Sequence, residues 1–286
     1  MNIIAVVVLY QCRPDESSTI ASLVRSWEHC PQDRPRLTLV IHDNGPAAQD
    51  MTVALPFEHQ YLHDPSNGGL ARAYNRALAM AAAGRYEWLL LLDQDSSLPD
   101  RFLAVTRRAG ETIGPGTVAV VPRVADHGVP VSPARLRWGG MIRPLAGTAA
   151  GVLRGTVTAI NSGTLIRTSF MADLGGFNEA FPLDYLDHWL FAMVRRQGRT
   201  VYATEAVVGH DLSIGQRLRR VTPGRYRSVL RAETRYYRTC CRKVDFIYHL
   251  LAVAARACRQ ALAGDRVLSR LTLRHLSDVL ANREHR

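Results

Sequence analysis

The chain has 286 residues, of which 47% are hydrophobic and 21% are charged. This length suits one large domain, or one domain with a small appendage, and the composition excludes wholesale disorder. The net charge of +11 is unevenly distributed, because residues 1–100 carry −5 whereas residues 216–286 carry 17 basic and 5 acidic side chains. This asymmetry favours a polyanionic partner for the basic tail, either an anionic membrane or a nucleic acid.

No apolar run reaches about 18 residues without a charge, which argues against a membrane-spanning helix. The N-terminus has no basic leader, so its short apolar run predicts a buried strand and not a signal peptide. The five cysteines are odd in number and form no Cys-x-x-Cys motif. This pattern predicts free thiols in a reducing cytoplasm, without a disulfide framework or a zinc site.

Strand and helix patterns alternate along the first hundred residues. In chain order they predict strand 3–10, helix 18–29, strand 37–42, strand 60–63, helix 70–83 and strand 88–92. Ser66 or Asn67 is expected to cap the second helix, and Gly84 to end it. This alternation predicts a parallel α/β sheet covered on both faces.

The pattern is weaker after residue 100. Strands are predicted at 118–122, at 156–160 with 164–167 as its extension, and at 201–208, and a helix at 187–197. Residues 124–155 are rich in Gly, Pro and Arg and are expected to form a mobile loop. Residues 225–259 and 265–280 place apolar side chains at helical spacing with arginines opposite, which predicts an appended helical segment.

Ligands of a parallel α/β sheet bind at the carboxyl ends of its strands, and polar loops follow the four strands predicted in the first hundred residues. The clearest is Asp93-Gln94-Asp95, which follows four leucines. Carboxylates one residue apart project the same way from an extended backbone and repel each other unless a cation lies between them. Mg²⁺ or Mn²⁺, with phosphate oxygens as further ligands, fits this pair. The alternative is a polar strand end that begins a turn.

Five motifs in one order resemble glycosyltransferase family 2, which has the GT-A fold. They are Tyr10 at the end of a strand, Asp43-Asn44-Gly45, the run from Asn67-Gly68-Gly69 to Tyr74-Asn75, Asp93-Gln94-Asp95, and Leu174–Glu179 leading into Phe181–Asp187. Gln94 and the phrase Asp184-Tyr185-Leu186-Asp187 are most similar to the rhamnosyltransferase branch. The resemblance implies a catalytic domain over 1–215, with a nucleotide-sugar half (1–100) and an acceptor half (101–215). A basic helical segment follows over 216–286.

The resemblance also implies residue roles. The donor is expected to contact Tyr10, Asp43, Asn44, Asn67, Gly68, Gly69, Arg72, Asp93 and Gln94. Asp95, Asp93 and His210 are expected to bind Mn²⁺ or Mg²⁺, although an ordinary histidine at 210 is the alternative. The acceptor is expected to contact Trp138, Asn161, Ser162, Gly163, Tyr185 and Trp189, although both tryptophans are equally expected as core aromatics.

Asp187 occupies the position of the family's general base. Leu186 and Trp189 depart from the commoner family pattern, so Asp184 remains a rival for this role. A predicted helix start at Asp187 favours Asp187, because the helix dipole keeps a carboxylate there ionised. The alternative for Asp187 is a plain helix cap.

The resemblance implies an inverting, metal-dependent transfer of a sugar from a nucleoside-diphosphate donor to a glycan or lipid-linked acceptor. The branch implies dTDP-rhamnose and a bacterial surface polysaccharide. One alternative is a transferase of the same fold for galactose, glucose or an N-acetylhexosamine. Another is a nucleotidyltransferase, against which the absence of Gly from residues 10–16 counts. The third is a membrane-associated scaffold that retains the fold without catalysis.

The basic tail interleaves arginines with apolar and aromatic residues, as in a helix that lies on a bilayer. This favours a peripheral location on the inner face of the cytoplasmic membrane, although a helical cap packed on the catalytic domain is the alternative. No nucleic-acid-binding motif is present, so a nucleic acid partner is not expected. The sequence leaves the oligomeric state open, a homo-oligomer included. The clustered basic residues are Arg217, Arg219, Arg220, Arg225, Arg227, Arg231, Arg235, Arg238, Arg242 and Lys243.

Overall fold

The structure is a computed structural model that describes residues 1–51, 53–136, 142–145, 147, 149–210 and 222–283. Its contacts divide the chain into two units. The first joins Met1–Arg135 to Arg143–Leu212, and the second joins Leu136–Ile142 to Ser213–Arg286. The first unit carries the central sheet, and the second carries three long helices.

Parallel strands form the amino-terminal half of the central sheet, in the order β4-β1-β2-β3. The central strands β1 and β4 are buried runs of Val, Leu and Ile, as expected for a sheet covered on both faces, whereas the edge strand β3 is polar and partly exposed. Every element predicted for the first hundred residues is confirmed to within about two residues. The elements are β1 (Asn2–Leu9), α1 (Ser18–Glu28), β2 (Arg36–Asp43), β3 (Glu58–His63), α2 (Gly69–Ala83) and β4 (Trp88–Asp93).

The predicted cap of α2 is wrong. Gly68 occupies the N-cap position, and no side chain caps the helix there. Asn67 instead adopts a left-handed conformation with φ of 50°, and the Ser66 hydroxyl donates to Asp64. Gly84 ends the helix as predicted.

The carboxyl-terminal half of the first unit makes the sheet mixed. β12 is antiparallel to both β4 and β6, whereas β13 is parallel to β6. The elements after β4 are β5 (Ser96–Ser97), α3 (Phe102–Thr112), β6 (Thr117–Asp126), β7 (Val129–Ser132), β8 (Ala134–Leu136), β9 (Ile142–Pro144), β10 (Gly151–Leu153), β11 (Val157–Thr158), β12 (Thr164–Arg167), α4 (Thr168–Asp173), α5 (Leu186–Arg196) and β13 (Thr200–His210).

Two sequence predictions for this half are wrong. Residues 124–155 contain four short strands, β7 to β10, in place of a loop, because β7 and β10 extend the central sheet and β8 and β9 join a separate small sheet with β11. β12 is a strand in its own right and does not extend β11, since the left-handed Gly163 separates the two. Sequence reasoning also missed α3, whose Val, Thr and Gly residues lower its helix propensity.

The three helices of the second unit are α6 (Pro223–Cys240), α7 (Lys243–Leu262) and α8 (Arg266–Leu280), each packed against the other two. The tail is helical as predicted, but the expected single run over 225–259 is broken where Cys241 takes an extended conformation. Asp265 caps α8 by accepting a bond from the Leu268 amide. Among the described helices, none is both long enough and apolar enough to cross a membrane.

A histidine is buried between these helices. His249 on α7 is 4% exposed, and its Nε2 lies 2.9 Å from Thr234 Oγ1. Burial lowers the pKa of His249 to about 4, and Arg256 acts in the same direction while Glu233 opposes it. The charged and titratable groups around this ring are Glu233, Tyr237, Arg256 and His275.

Acid is therefore expected to destabilise the helical unit. As the pH falls from about 6.5 to about 4, the unfolded chain takes up a proton at His249 that the folded unit does not, so the free energy of unfolding falls by about 3 kcal/mol. Thermal unfolding by circular dichroism, at neutral pH and near pH 5, should show a smaller acid-induced fall in Tm for His249→Gln than for the wild type. An equal fall in both proteins would show that other groups control the acid response.

Candidate active site

His210 meets the Asp-Gln-Asp segment through strand pairing. β5 pairs with the end of β13, so that His210 lies opposite Ser96. His210 Nε2 lies 3.9 Å from Asp93 Oδ2, and His210 Nδ1 lies 3.6 Å from Asp95 Oδ1. The ligand atoms of Asp93, Asp95 and His210 all lie within 4.8 Å of one another. The three residues predicted to bind metal are therefore brought together.

Hydroxyl groups of the first helix hold this segment in place. Ser17 Oγ donates to the Gln94 carbonyl at 2.7 Å, and Thr19 Oγ1 exchanges two hydrogen bonds with the Ser96 backbone. The Gln94 side chain accepts a bond from the Tyr10 amide at 2.8 Å. The Gln94 side chain therefore connects the ends of β1 and β4, and this contact stabilises the loops of the site.

The electrostatics of Asp93 reflect its crowded surroundings. Burial raises the pKa of Asp93 above its ordinary value, and the charges of Asp95 and Asp187 raise it further. The Ser162 hydroxyl, which donates to Asp93 Oδ2, and His210 act in the opposite direction. Carboxylates placed this close store repulsion that a divalent cation relieves.

The residues that were expected to contact the acceptor differ in burial and in their contacts. Ser162 and Asn161 are buried, and Ser162 contacts Asp93. The left-handed Gly163, with φ of 79°, donates its amide to Leu91. Trp189 is only 7% exposed, which agrees with the alternative of a core aromatic, and its contact with the acceptor stays a prediction. Trp138 lies outside the described residues, as do Arg217, Arg219 and Arg220 of the basic tail.

Asp43 orders the loop that follows β2. Its side chain is fully buried, and Oδ1 accepts from the Gly45 amide at 2.7 Å. Oδ2 accepts from Tyr61 Oη at 2.6 Å and from Gln49 Nε2 at 3.0 Å. The buried Asn44 beside it has an amide oxygen without a hydrogen-bond partner in the described part of the chain. This orphaned acceptor fits a donor group of a ligand at this strand end.

The glycine turn before α2 approaches another segment of the chain. A Cβ on Gly69, where φ is 81°, would lie 2.4 Å from the Pro182 carbonyl oxygen, which accepts the Leu70 amide at 2.6 Å. Arg72 Nη1 donates to Ser66 Oγ at 2.9 Å and lies 3.8 Å from Asp64. The turn therefore contacts the segment that leads to Asp187. The donor contacts of Asn67, Gly68, Gly69 and Arg72 stay predictions.

Asp187 lies in the first turn of α5. The helix follows Tyr185, which adopts a left-handed conformation with φ of 63°, and Asp187 Oδ1 accepts the His188 amide at 2.7 Å. The neighbouring His188 Nδ1 lies 2.9 Å from Thr158 Oγ1 of β11. The rival base, Asp184, precedes the helix and is partly buried. Asp187 is one of two carboxylates whose charge raises the pKa of Asp93, so the two side chains lie within electrostatic range of each other.

Tyr74 lies in the motif that begins at Asn67, but sequence reasoning assigned it no role. It is fully buried on α2, and its hydroxyl has no hydrogen-bond partner in the described part of the chain. Burial raises the pKa of Tyr74 well above its ordinary value, and Asp93 and Asp187 add to this effect. Tyr74 therefore lies within electrostatic range of both carboxylates, and its place in the motif was the available signal.

Asn75 joins two of the sequence motifs. Its Oδ1 accepts the Phe177 amide at 2.7 Å, and its Nδ2 donates to the Phe177 carbonyl at 2.9 Å. These two bonds hold the turn at Gly175 and Gly176, from which the segment leads to Asp187. Asn75 is thereby a positioning residue for the acceptor-side motif, and its place in the motif was the available signal.

Gly176→Ala is expected to destabilise the protein by about 2 to 3 kcal/mol. At Gly176, φ is 96° and a Cβ would lie 2.7 Å from Asn75 Oδ1. Gly175→Ala is the matched control, because φ is 77° there and no atom lies within 4 Å of the added Cβ. Urea unfolding gives the free energy of unfolding of both variants. The backbone strain is common to the two, so their difference measures the cost of the contact with Asn75. Equal destabilisation would show that the Asn75 contact yields at little cost.

The mostly parallel sheet, with a carboxylate pair at its carboxyl edge, has the architecture of the GT-A fold. Residues 5–174, more than half of the chain, match the model of glycosyl transferase family 2. The chain therefore belongs to glycosyltransferase family 2 and is a glycosyltransferase.

Solved structures support the same fold. TarS 1–349 of S. aureus is 14% identical, with 100% of this chain and 93% of that chain covered and a TM-score of 0.50. The crystal structure of TarS 1–349 in complex with UDP-GlcNAc is 15% identical over the same shares, with a TM-score of 0.51. At this identity the likeness shows the fold. Comparison with curated protein sequences finds no match.

Proposed function

We propose that this protein is an inverting glycosyltransferase that binds a nucleoside-diphosphate sugar at Asp93, Asp95 and His210 and uses Asp187 as general base. The observation that supports it most is the convergence of these three ligand atoms within 4.8 Å, with Asp187 close enough to act on Asp93. In this reaction the carboxylate of Asp187 accepts the proton of an acceptor hydroxyl. The hydroxyl oxygen forms a bond to the anomeric carbon as the bond to the diphosphate breaks.

The donor set fits Mn²⁺ or Mg²⁺. Carboxylates are among the ligands that Mn²⁺ and Mg²⁺ prefer, the imidazole adds a nitrogen ligand, and the remaining positions suit phosphate oxygens. Asp93 and Asp95 at the end of β4 and His210 at the end of β13 would hold the cation. The cation would offset the charge of the diphosphate leaving group.

The proposed donor is dTDP-rhamnose, on the resemblance of the Gln94 and Asp184–Asp187 motifs to the rhamnosyltransferase branch. UDP-N-acetylglucosamine is the second candidate, because TarS, which shares the fold, was crystallised with it. The residues proposed to contact the nucleotide and sugar are those at the strand ends: Tyr10, Asp43, Asn44, Asn67, Gly68, Gly69, Arg72, Asp93 and Gln94.

The proposed acceptor is a hydroxyl of a glycan or lipid-linked precursor of a bacterial surface polysaccharide. Tyr185 stands beside Asp187 and is partly buried, so it is the described aromatic residue best placed to contact the acceptor. The proposed location is the cytoplasmic side of an anionic membrane, since the 216–286 segment carries 17 basic against 5 acidic side chains.

A thermal-shift experiment tests the donor site directly. Purified protein is heated with UDP, dTDP, GDP or CDP, each with and without Mn²⁺, because a ligand that binds only the folded state raises its Tm. We expect a metal-dependent rise with dTDP. A rise with UDP alone would replace rhamnose by a UDP-linked sugar, and no rise with any diphosphate would overturn the donor site.

A further inference from the structure

The helix α7 carries apolar side chains on two opposite faces. One face is buried between α6 and α8 and includes His249, Val253 and Ala257. The other face is exposed along the whole helix. We call it the outer stripe of α7, and it consists of Val244, Ile247, Tyr248, Leu251, Ala255, Cys258 and Leu262.

The outer stripe is too apolar for an ordinary water-facing surface. Ile247 is 57% exposed, Leu251 is 62% exposed and Leu262 is 89% exposed. An amphipathic helix normally turns charged side chains to water, and a contiguous apolar patch marks an interaction surface. Arg259 is exposed at the border of the stripe, and Lys243 begins the helix.

Exposed arginine rows occupy the other two helices of the unit. Arg227, Arg231 and Arg235 repeat every fourth residue along α6. Such a spacing places them on one helix face. α8 repeats the pattern with Arg266, Arg270 and Arg274.

Two acidic residues of the unit pair with other arginines. Glu233 binds Arg256 through two bonds of 2.8 Å, and Asp245 binds Arg242 at 2.9 Å. Residues 216–286 carry 17 basic against 5 acidic side chains, so the unit has a strong net positive charge.

We propose that the outer stripe of α7 inserts into the interface of an anionic bilayer, to which the net positive charge of the unit attracts it. Charge complementarity favours lipid over a second copy of the chain, because two copies carry the same positive charge and repel. The inference extends the proposed membrane location, and names the surface that makes the contact. Its test requires no sugar transfer.

Cys258 reports on the stripe directly, because it is an exposed thiol within it. A water-soluble maleimide is reacted with the full chain, and peptide mass analysis follows Cys258 and, as the internal control, the partly exposed Cys12 of the first unit. Phosphatidylglycerol-rich vesicles should slow the labelling of Cys258 by about tenfold without slowing Cys12, whereas phosphatidylcholine vesicles should not. Equal labelling with and without anionic vesicles would overturn the proposal.

Variants of the stripe, and measurements at several protein concentrations, distinguish binding of lipid from binding of a second copy of the chain. Ile247→Ser combined with Leu251→Ser should weaken sedimentation with anionic vesicles by about tenfold or more. Val129→Ser combined with Val152→Ser, at positions 63% and 47% exposed in the first unit, should leave it unchanged. Protection of Cys258 that rises with protein concentration in the absence of vesicles would assign the stripe to a second copy and overturn the lipid assignment.

Discussion

Asp187→Asn is expected to lower kcat by about 10³-fold while leaving the affinity for the nucleoside diphosphate unchanged. The amide keeps the size of the carboxylate and still accepts a hydrogen bond, but it cannot take a proton from the acceptor hydroxyl. Asp187 Oδ1 accepts the His188 amide at the start of α5, so the amide oxygen of the variant can preserve this local contact. Initial rates of sugar transfer and calorimetric titration with the diphosphate measure the two quantities separately.

Asp184→Asn is the matched control for this prediction. Asp184 lies three residues before Asp187 and outside α5, so the same chemical change tests the rival position. We expect its kcat to stay within about tenfold of the wild type, the range of an indirect effect on site geometry. A severe loss in Asp184→Asn with activity retained in Asp187→Asn would transfer the role of general base to Asp184.

Asp95→Asn is expected to remove the Mn²⁺-dependent part of the thermal shift with nucleoside diphosphate, and to lower kcat by about 10²-fold or more. The substitution leaves Asp93 and His210 in place, but takes away one negative ligand of the proposed site. Because less carboxylate repulsion remains, the variant without metal should be at least as stable as the wild type.

Asp100→Asn is the control carboxylate from the same region of the chain. It is 56% exposed and lies 3.9 Å from Arg25, which is a weak surface pair. Its metal response should equal that of the wild type. If Asp95→Asn kept the full Mn²⁺ response, the site would have to bind its cation without this carboxylate, and the metal assignment would be wrong.

The first hundred residues illustrate how far local patterns reach. Most of the parallel strands there are short apolar runs bounded by polar turns, and each helix has a clear apolar period, so type and position follow from neighbouring residues. The prediction failed for residues 124–155, where β7 and β10 are strands because the sheet edge offers hydrogen bonds to them. Strands of three or four residues acquire their structure from their partners, and their own sequence carries little signal.

The candidate site also has features that the local sequence predicts and features that it does not. Asp93 and Asp95 could be identified from the strand that precedes them, because the end of a buried strand and two adjacent carboxylates are both local features. The contact between Ser162 and Asp93 and the position of Tyr74 near the carboxylates could not be identified in this way. Each depends on a residue that is far away in the sequence. The resemblance to a family supplied His210 and Asp187, and their distances to the carboxylates came from the fold.

The order of strands and helices, the polar strand ends and the basic tail follow from the chain's own pattern, since each depends on residues within one or two turns. The pairing of β5 with β13, which brings His210 to Ser96 across 114 residues, depends on strand register. The bonds of Asn75 to Phe177, across 102 residues, depend on how α2 packs. Register and packing minimise the free energy of the whole molecule, so no local stretch encodes them, and the convergence of Asp93, Asp95 and His210 exists only in the folded chain.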